Sequence, residues 1–293
     1  MGKPETLASL TMADRRSVAR LLLRAAYQHM HLDWHTPEDW LASPELRCWV
    51  VRRNGSIGAL LGATLQYACT EPTLPNSSEA AWVRFAVSAG MREYDPTLDT
   101  LWANLQQDLQ ANKVTLVGLL AVDRWIESYA ARWGFQPTNA VITLQRRIRR
   151  NDVPPDDFSG IRDVRPHELD QIAEVDASAF DPLWRYHRGV VEAAARQATM
   201  FKLIELEGQI VAYQLCTCHS GTGHLARLAV RPNWQGRGLG QALVCDLLRQ
   251  FASQGVDVVT VNTQEDNFRS RRLYAKLGFV PINHRVPVWT LRM

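Results

Sequence analysis

The sequence has no apolar run approaching the roughly 18 residues that a membrane-spanning helix requires. Its first residues also lack the apolar stretch of a secretory signal peptide. We therefore expect a cytoplasmic protein with no membrane partner. Charge of one sign is scarce too, since 33 Lys and Arg oppose 30 Asp and Glu, for a net charge of +3. A dedicated nucleic-acid-binding protein is usually strongly basic, so we expect no nucleic-acid partner.

Cysteine is sparse and odd in number, with five residues in a chain of 293. The five lie mostly inside apolar runs, at Cys48, Cys69, Cys216, Cys218 and Cys245. This pattern indicates reduced thiols, mostly in a core, and excludes a disulfide framework.

The length of 293 residues favours two domains. A repeat supports this division, because "WVRFAV" (82–87) is answered by "LARLAV" (225–230), and "YAARWGF" (129–135) by "YAKLGF" (274–279). The stretch 144–160 combines basic residues with prolines and aspartates, which is typical of a linker. We predict one domain over residues 1–150 and a second over 159–293.

Each half is predicted to contain helices, then three strands, then a helix, a strand, a helix and a strand. In the second half the predicted strands lie near residues 161–164, 201–206, 209–216, 224–230, 256–262 and 286–291. The predicted helices lie near residues 166–179, 189–197, 238–253 and 267–277. Strands and helices in this order make an α/β fold around a central sheet.

Three glycines, Gly236, Gly238 and Gly240, stand where a predicted strand hands over to a helix. Glycine weakens the first turn of a helix, so this position suggests close approach of the backbone to a ligand. Free N–H groups and the helix dipole favour a phosphate there. An ordinary tight turn is the alternative. A dinucleotide-binding motif is excluded because Gln241 replaces its last glycine, and a P-loop is excluded because no Lys-Ser/Thr pair follows.

The segment Gln235-x-x-Gly238-x-Gly240 resembles the acyl-CoA pyrophosphate loop of the GNAT acetyltransferases. "NFRSRRLYAKLGF" (267–279) resembles the second signature of that superfamily, in the expected order and spacing. The resemblance implies an α/β fold class with two tandem GNAT domains, each a mixed, mostly antiparallel central sheet flanked by helices. It also implies acetyl-CoA as cosubstrate and no metal. The cofactor-binding residues it implies are Leu228, Ala229, Val230, Gln235, Gly236, Arg237, Gly238, Leu239, Gly240 and Asn267.

Two catalytic residues follow from the same resemblance. Tyr274 stands where the family places the general acid that protonates the departing thiolate, and a phenol is protonated at neutral pH. His224 stands where several members carry the base that deprotonates the amine. For His224 an exposed histidine at a strand start is an equal alternative, and for Tyr274 the alternative is packing against the sheet. A second family position for a base is Asn262, which cannot accept a proton, leaving Glu265 and Asp266 as nearby candidates.

The first half lacks these features. Its counterpart of the glycine turn, "SAGMREYDPTLDT" (88–100), keeps only Gly90 and adds Asp95, whose charge should repel a pyrophosphate. Asp123 and Ala130 align with Asn267 and Tyr274. We therefore expect a degenerate, non-catalytic first domain.

The predicted activity is acetyl transfer to a primary amine, by direct attack in a ternary complex. The acceptor is a protein N-terminus or a small molecule, since the second half resembles the branch that acetylates ribosomal-protein N-termini and the two-domain plan resembles the mycothiol synthase family. A non-catalytic acyl-CoA-binding sensor or assembly module is the alternative function. A monomer whose two halves form an intramolecular pseudo-dimer is one open oligomeric state.

Two smaller clusters remain. "HMHLDWH" (29–35) brings His29, His31, Asp33 and His35 together on a predicted helix end, either lining a cleft or, less simply, binding a metal. "FDPLWRYH" (180–187) follows the first helix of the second half. In GNAT enzymes this region borders the acceptor site, so Trp184, Arg185, Tyr186 and His187 either contact the acceptor or form a helix corner.

Overall fold

A computed structural model describes residues 5–67, 78–90, 94–148, 158 and 160–293. Most of the predicted linker (149–157 and 159) and Cys69 lie outside the described residues. The chain divides into two compact units, the first formed by residues 1–138 with 286–293 and the second by 139–285. No helix in the described part of the chain is long and apolar enough to cross a membrane.

In the part of the first unit that the structure describes, strands outnumber the four α-helices. Its helices are α1 (Arg15–Arg24), α2 (Pro37–Ala42), α3 (Pro96–Ala111) and α4 (Arg124–Arg132). Its strands are β1 (Thr6–Ser9), β2 (Tyr27–Met30), β3 (Leu46–Arg53), β4 (Ser56–Tyr67), β5 (Ser78–Ser88), β6 (Leu116–Leu120) and the start of β7 (Gln136–Arg147).

The sheet of the first unit runs antiparallel from β1 through β3 and β4 to β5. Strand β6 joins β5 in parallel, and residues 288–292 pair antiparallel with β6. Helices α3 and α4 pack on one face, where Leu101, Leu105 and Ile126 are fully buried. Helices α1 and α2 cover the opposite face through Val18, Leu21 and other apolar residues.

A short strand corrects one expectation from the sequence. Residues 29–35 were predicted as a helix end, but β2 is extended and pairs antiparallel with β5, from Tyr27 opposite Ser88 to Met30 opposite Phe85. The reason is non-local: β5 and β6 pair only from Ala80 to Trp82, which leaves the rest of this β5 edge open for β2.

Four α-helices lie in the described residues of the second unit. They are α5 (Leu169–Ala179), α6 (Arg188–Gln197), α7 (Leu239–Ser253) and α8 (Phe268–Lys276). Its strands are β8 (Ile161–Asp163), β9 (Met200–Leu206), β10 (Gln209–His219), β11 (Thr222–Val230), β12 (Val258–Gln264), the remainder of β7 and the start of β13 (Val280–Arg292).

The sheet of the second unit repeats the plan of the first. Strands β8 to β11 are antiparallel, β12 joins β11 in parallel, and β7 pairs antiparallel with β12. Helices α7 and α8 bury Leu247, Phe251 and Leu277 against one face. Helix α5 lies on the other face of the sheet, where Asp176 of α5 accepts a hydrogen bond from the Tyr213 hydroxyl of β10. We call this second side the α5 face.

Each unit takes one strand segment from the other half of the sequence. Residues 141–147, which close the first sequence repeat, pair with β12 in the second unit. Residues 288–292, which close the second repeat, pair with β6 in the first unit. The domain limits 1–150 and 159–293 follow the repeat and stay a prediction about the two sequence copies.

Candidate active site

The second unit contains a wedge-shaped gap between two parallel strands. Pairing between β11 and β12 ends at Leu225 opposite Val261, although β11 continues to Val230 and β12 to Gln264. At the end of β11, Arg231 N donates to Val211 O of the neighbouring strand β10. Because main-chain groups alternate in direction along a strand, those of Leu228 and Val230 then face away from β10, toward the gap. The gap therefore offers an open peptide edge to an extended ligand.

The glycine turn leads from this edge into helix α7. Gly236 and Gly238 have φ values of 81° and 83°, in the left-handed region that favours glycine. The first intrahelical bond runs from Ala242 N to Gly238 O, so the amides of residues 239–241 have no partner within the helix. The helix start has neither a side-chain cap nor an acidic residue in its first turn. An anion is therefore favoured here.

Gly240 has a different reason to be glycine. A Cβ added there would lie 3.5 Å from Leu273 and 3.8 Å from Leu228 and Val230, which are ordinary contacts. Its backbone is not in the left-handed region either. Neither packing nor conformation requires glycine at this position, which fits a backbone that a ligand approaches closely.

Gln235 anchors the turn. Its Nε2 donates to Val230 O at 2.9 Å, and its Oε1 accepts a hydrogen bond from Arg269 of α8. The Arg237 guanidinium lies over the Trp234 ring, 4.6 Å from the centroid. Two exposed cations, Arg237 and Arg269, therefore border the turn, and their charge also favours an anion.

Tyr274 and Asn267 both lie on α8 or at its start. Tyr274 is buried beside Phe279, and its Oη makes no hydrogen bond to any described residue. Burial raises the pKa of Tyr274, and the nearby Cys216 adds to this shift, so the phenol keeps its proton at neutral pH. Asn267 caps α8, accepting a hydrogen bond from Ser270 N at 3.1 Å. Asn267 stands at the start of the helix, as predicted from the sequence. Its side-chain Oδ1 is occupied by the hydrogen bond from Ser270 N.

His224 lies on the α5 face, one residue before the gap opens. Its Nδ1 is 2.8 Å from Thr260 Oγ1, and Thr260 Oγ1 donates to Gly223 O at 3.4 Å. The threonine oxygen therefore accepts from His224 Nδ1–H, which leaves Nε2 with its lone pair. Burial lowers the pKa of His224, so the imidazole is neutral near pH 7. His224 and Tyr274 thus lie on opposite faces of the sheet.

The other candidates for the base differ in their surroundings. Asn262 is the first β12 residue beyond the gap's apex and is exposed on the α5 face. The Glu265 carboxylate pairs with Arg285 at 2.8 Å, and hydrogen bonding to Arg285 lowers the pKa of Glu265. This ion pair makes Glu265 a weak proton acceptor. Asp266 is exposed beside it.

The segment 180–187 is fixed by a residue that the sequence reasoning missed. Arg227 of β11 pairs with the buried Asp176 of α5 at 2.7 Å, and its guanidinium lies 3.5 Å from the Phe180 ring centroid and 3.9 Å from that of Tyr186. Arg227 also donates to Trp184 O. Its place in the repeated "LARLAV" motif was the available signal. His187 caps α6, and the Arg185 Nε donates to Phe180 O, which is the helix-corner arrangement.

In the first unit the corresponding parts are closed. Asp95 caps α3, accepting from Thr97 N at 2.9 Å and from the Ser88 hydroxyl at 2.6 Å. Strand β2 pairs along residues 85–88, which the repeat aligns with the β11 edge facing the gap. Among the described residues no group of three or more His, Cys, Asp or Glu is arranged to hold a metal. In the histidine cluster, Asp33 instead pairs with Arg84 at 2.5 Å and His31 at 2.9 Å.

Residues 165–279 match the model of the acetyltransferase (GNAT) family. This stretch includes the wedge, the glycine turn, Asn267 and Tyr274. Residues 165–279 therefore form a domain of the GNAT family. The resemblance predicted from the two motifs is confirmed.

Curated relatives match part of the chain. Mycothiol acetyltransferase of Amycolatopsis mediterranei is 31% identical over 134 residues, which are 40% of this chain and 44% of that relative. The ribosomal protein bS18-alanine N-acetyltransferase of Haemophilus influenzae is 27% identical over 128 residues, which are 44% of this chain and 86% of that one. The chain thus spans less than half the length of the mycothiol acetyltransferase it matches.

A solved tandem GNAT protein from the clavulanic acid biosynthesis pathway superposes with a TM-score of 0.60 at 19% identity, over 99% of this chain and 98% of that chain. At such low identity the likeness shows the fold alone. The predicted fold class is confirmed: a tandem GNAT arrangement of mixed, mostly antiparallel sheets flanked by helices.

Proposed function

We propose that the second unit is an acetyl-CoA-dependent N-acetyltransferase that acts on a primary amine. The observation that carries the proposal is the continuity of two features. The open β11 edge at Leu228 and Val230 leads directly into an uncapped helix start with two left-handed glycines. A ligand with an extended amide-containing arm and a pyrophosphate matches both features in that order.

Acetyl-CoA supplies an acetyl group activated as a thioester. The main chain of Leu228 to Val230 would hold its pantetheine arm, and the turn from Gln235 to Gly240 its pyrophosphate. Asn267 would contact the arm from the start of α8.

His224 and Tyr274 would move the protons. His224 Nε2 takes one proton from the ammonium form of the acceptor, and the free amine attacks the thioester carbonyl. Tyr274 Oη donates a proton to the departing thiolate. As the intermediate collapses, the attacking nitrogen releases its second proton to solvent, and the Tyr274 phenolate regains a proton from solvent. Their places on opposite faces of the sheet support attack and departure from opposite sides of the wedge. No covalent enzyme intermediate is needed.

The lowered pKa of His224 sets the direction of the pH dependence. Protonated His224 cannot accept a proton, so kcat/KM is expected to fall as pH drops through that pKa. Because burial lowers the pKa, the midpoint should lie below the ordinary histidine value of about 6.5. A pH profile of kcat/KM checks this, and His224→Gln should remove that limb of the profile.

The chemical class of the acceptor is inferred from the matched relatives. The matched relatives include an alanine N-acetyltransferase of a ribosomal protein and a mycothiol acetyltransferase. We propose an amine acceptor in either class, a protein N-terminus or a small molecule.

Calorimetric titration with acetyl-CoA tests the proposal. We expect one site per chain, and Gly238→Asp should weaken binding by about 100-fold, because a carboxylate at the helix start opposes the pyrophosphate. Gly255→Asp is the matched control: Gly255 has a φ of 77° with open space around it, at the opposite end of α7. It carries the same backbone strain and should bind normally. Absence of binding to the unaltered chain would refute the proposal, and binding without turnover of any amine would favour a sensor.

A further inference from the structure

A polar row lies on the α5 face beside the gap. Along β12, Val259 and Val261 are buried in the core with α7, so Thr260 and Asn262 face the opposite side. On β7, Thr143 stands directly opposite Asn262 in the antiparallel register. The row therefore begins at the gap and continues across β7.

Hydrogen-bond directions fix the chemistry of this row. Thr143 Oγ1 donates its one proton to Asn262 Oδ1 at 2.8 Å. His284 Nδ1 lies 2.8 Å from Thr143 Oγ1. With its proton already used, Thr143 Oγ1 must accept from His284 Nδ1–H. This bond selects the tautomer in which His284 Nε2 carries a lone pair. The arrangement repeats that of His224 and Thr260.

The electrostatic surroundings allow a cation to approach. His284 and Asn262 are both exposed. The nearest cation along the strand, Arg285, is paired with Glu265 at 2.8 Å, so its charge is largely neutralised. An amine in its ammonium form therefore meets a hydrogen-bond acceptor at His284 without an unpaired positive charge beside it.

We propose that His284, held by Thr143, binds the acceptor amine by accepting a hydrogen bond from it at Nε2, beside Asn262. This inference rests on the proposed acetyltransferase activity and names a residue of its acceptor site. Position 262 lacks a carboxylate that could attract the amine, and His284 supplies the hydrogen-bond acceptor from two strands away. His284 thus positions the acceptor, while His224 on the other side of Asn262 removes the proton.

Steady-state kinetics of the full chain test this assignment, with each substrate varied separately. In His284→Asn the side-chain amide can still donate to Thr143, but the Nε2 lone pair is lost. We expect the KM for the amine to rise about tenfold, as for loss of one hydrogen bond to a charged group, with the KM for acetyl-CoA unchanged. Thr143→Val should have the same effect, because it releases His284. His167→Asn, an exposed histidine in the turn before α5, is the matched control.

The results separate the alternatives. An unchanged amine KM in both folded variants, checked by thermal melting, overturns the assignment. A fall in kcat with the acidic limb of the pH profile lost in His284→Asn, but kept in His224→Gln, also overturns it, because His284 would then be the base. Failure of the unaltered chain to acetylate any amine, despite binding acetyl-CoA, instead refutes the proposed function. Non-additive effects of the two variants combined would support it further.

Discussion

Both units form a wedge-shaped gap between two parallel strands, which the first unit fills and the second leaves open. In both, a parallel strand pair separates after a few residues, at Trp82 opposite Gly118 in the first and Leu225 opposite Val261 in the second. The first unit fills the exposed edge with its own strand β2 and caps the next helix with Asp95. The second leaves the edge open and the helix uncapped. The fold therefore does not require the open edge or the uncapped helix, which supports the ligand-binding role proposed for them.

Other features are common to both units. The repeat aligns Arg84 with Arg227, and each arginine is ion-paired to an aspartate and lies over aromatic rings, Trp40 in one unit and Phe180 and Tyr186 in the other. The first unit, whose gap is closed, keeps this arrangement. The arginine-aspartate pair is therefore first of all structural. A comparison within one chain therefore separates residues that hold the fold from residues that serve the site.

The largest effect is expected at Tyr274. Tyr274→Phe removes the proposed acid, so kcat should fall by about 100- to 10,000-fold, with acetyl-CoA affinity unchanged. Tyr129→Phe, next to the aligned position Ala130, is the control in the first unit, where the Tyr129 hydroxyl contacts the Asp95 main chain. It should change only the stability. Activity assays and calorimetry measure kcat and acetyl-CoA affinity for both variants. Full activity of Tyr274→Phe would contradict the distinction between the units.

The arginines should be equivalent for stability and different for activity. Arg84→Met and Arg227→Met each remove the arginine partner of an aspartate, Asp33 or the fully buried Asp176, and breaking a buried pair costs about 3–5 kcal/mol. Urea denaturation should show both losses. Only Arg227→Met should also raise the amine KM, since it frees segment 180–187. An equal effect of Arg84→Met on that KM would contradict the comparison.

A buried histidine should make the first unit sensitive to acid. Burial lowers the pKa of His29 to about 3, and the charges of His31 and Arg84 contribute. Between that value and the unfolded value of about 6.5, only the unfolded chain binds this proton. Stability should therefore fall with decreasing pH, by up to about 1.4 kcal/mol per pH unit. His29→Leu should remove this slope from denaturation curves; an unchanged slope would assign it to other groups.

The smallest effects concern two glycines. Gly240→Ala meets only ordinary contacts, so the unfolding free energy should change by less than about 1 kcal/mol, while acetyl-CoA affinity falls several-fold. Gly90→Ala would place its Cβ 3.1 Å from Ser88 Oγ and 3.3 Å from Asp95 Oδ2, so it should lower stability without affecting affinity. Calorimetry and thermal melting of both variants check the contrast.

Local signals explain what could be predicted from the sequence. The glycine turn, the apolar face of α7 and the start of α8 depend on neighbouring residues, and the structure has them within one or two residues of the predicted limits. Strand β2 could not be found this way, because its four residues become a strand only through β5. Arg227 with Asp176, and Thr143 with His284, are contacts between residues more than 50 positions apart. Periodicity carries no information about such pairs.

The exchange of terminal strand segments has a consequence for the history of the chain. If the two repeats arose by duplication, neither copy now contains every strand of its own unit. A polypeptide restricted to residues 159–293 would carry the glycine turn and Tyr274 but lack the segment 141–147 that pairs with β12. A polypeptide restricted to residues 1–150 would lack the segment that pairs with β6. Loss of the first copy would remove a strand from the second unit, so selection for the second unit also preserves the first copy.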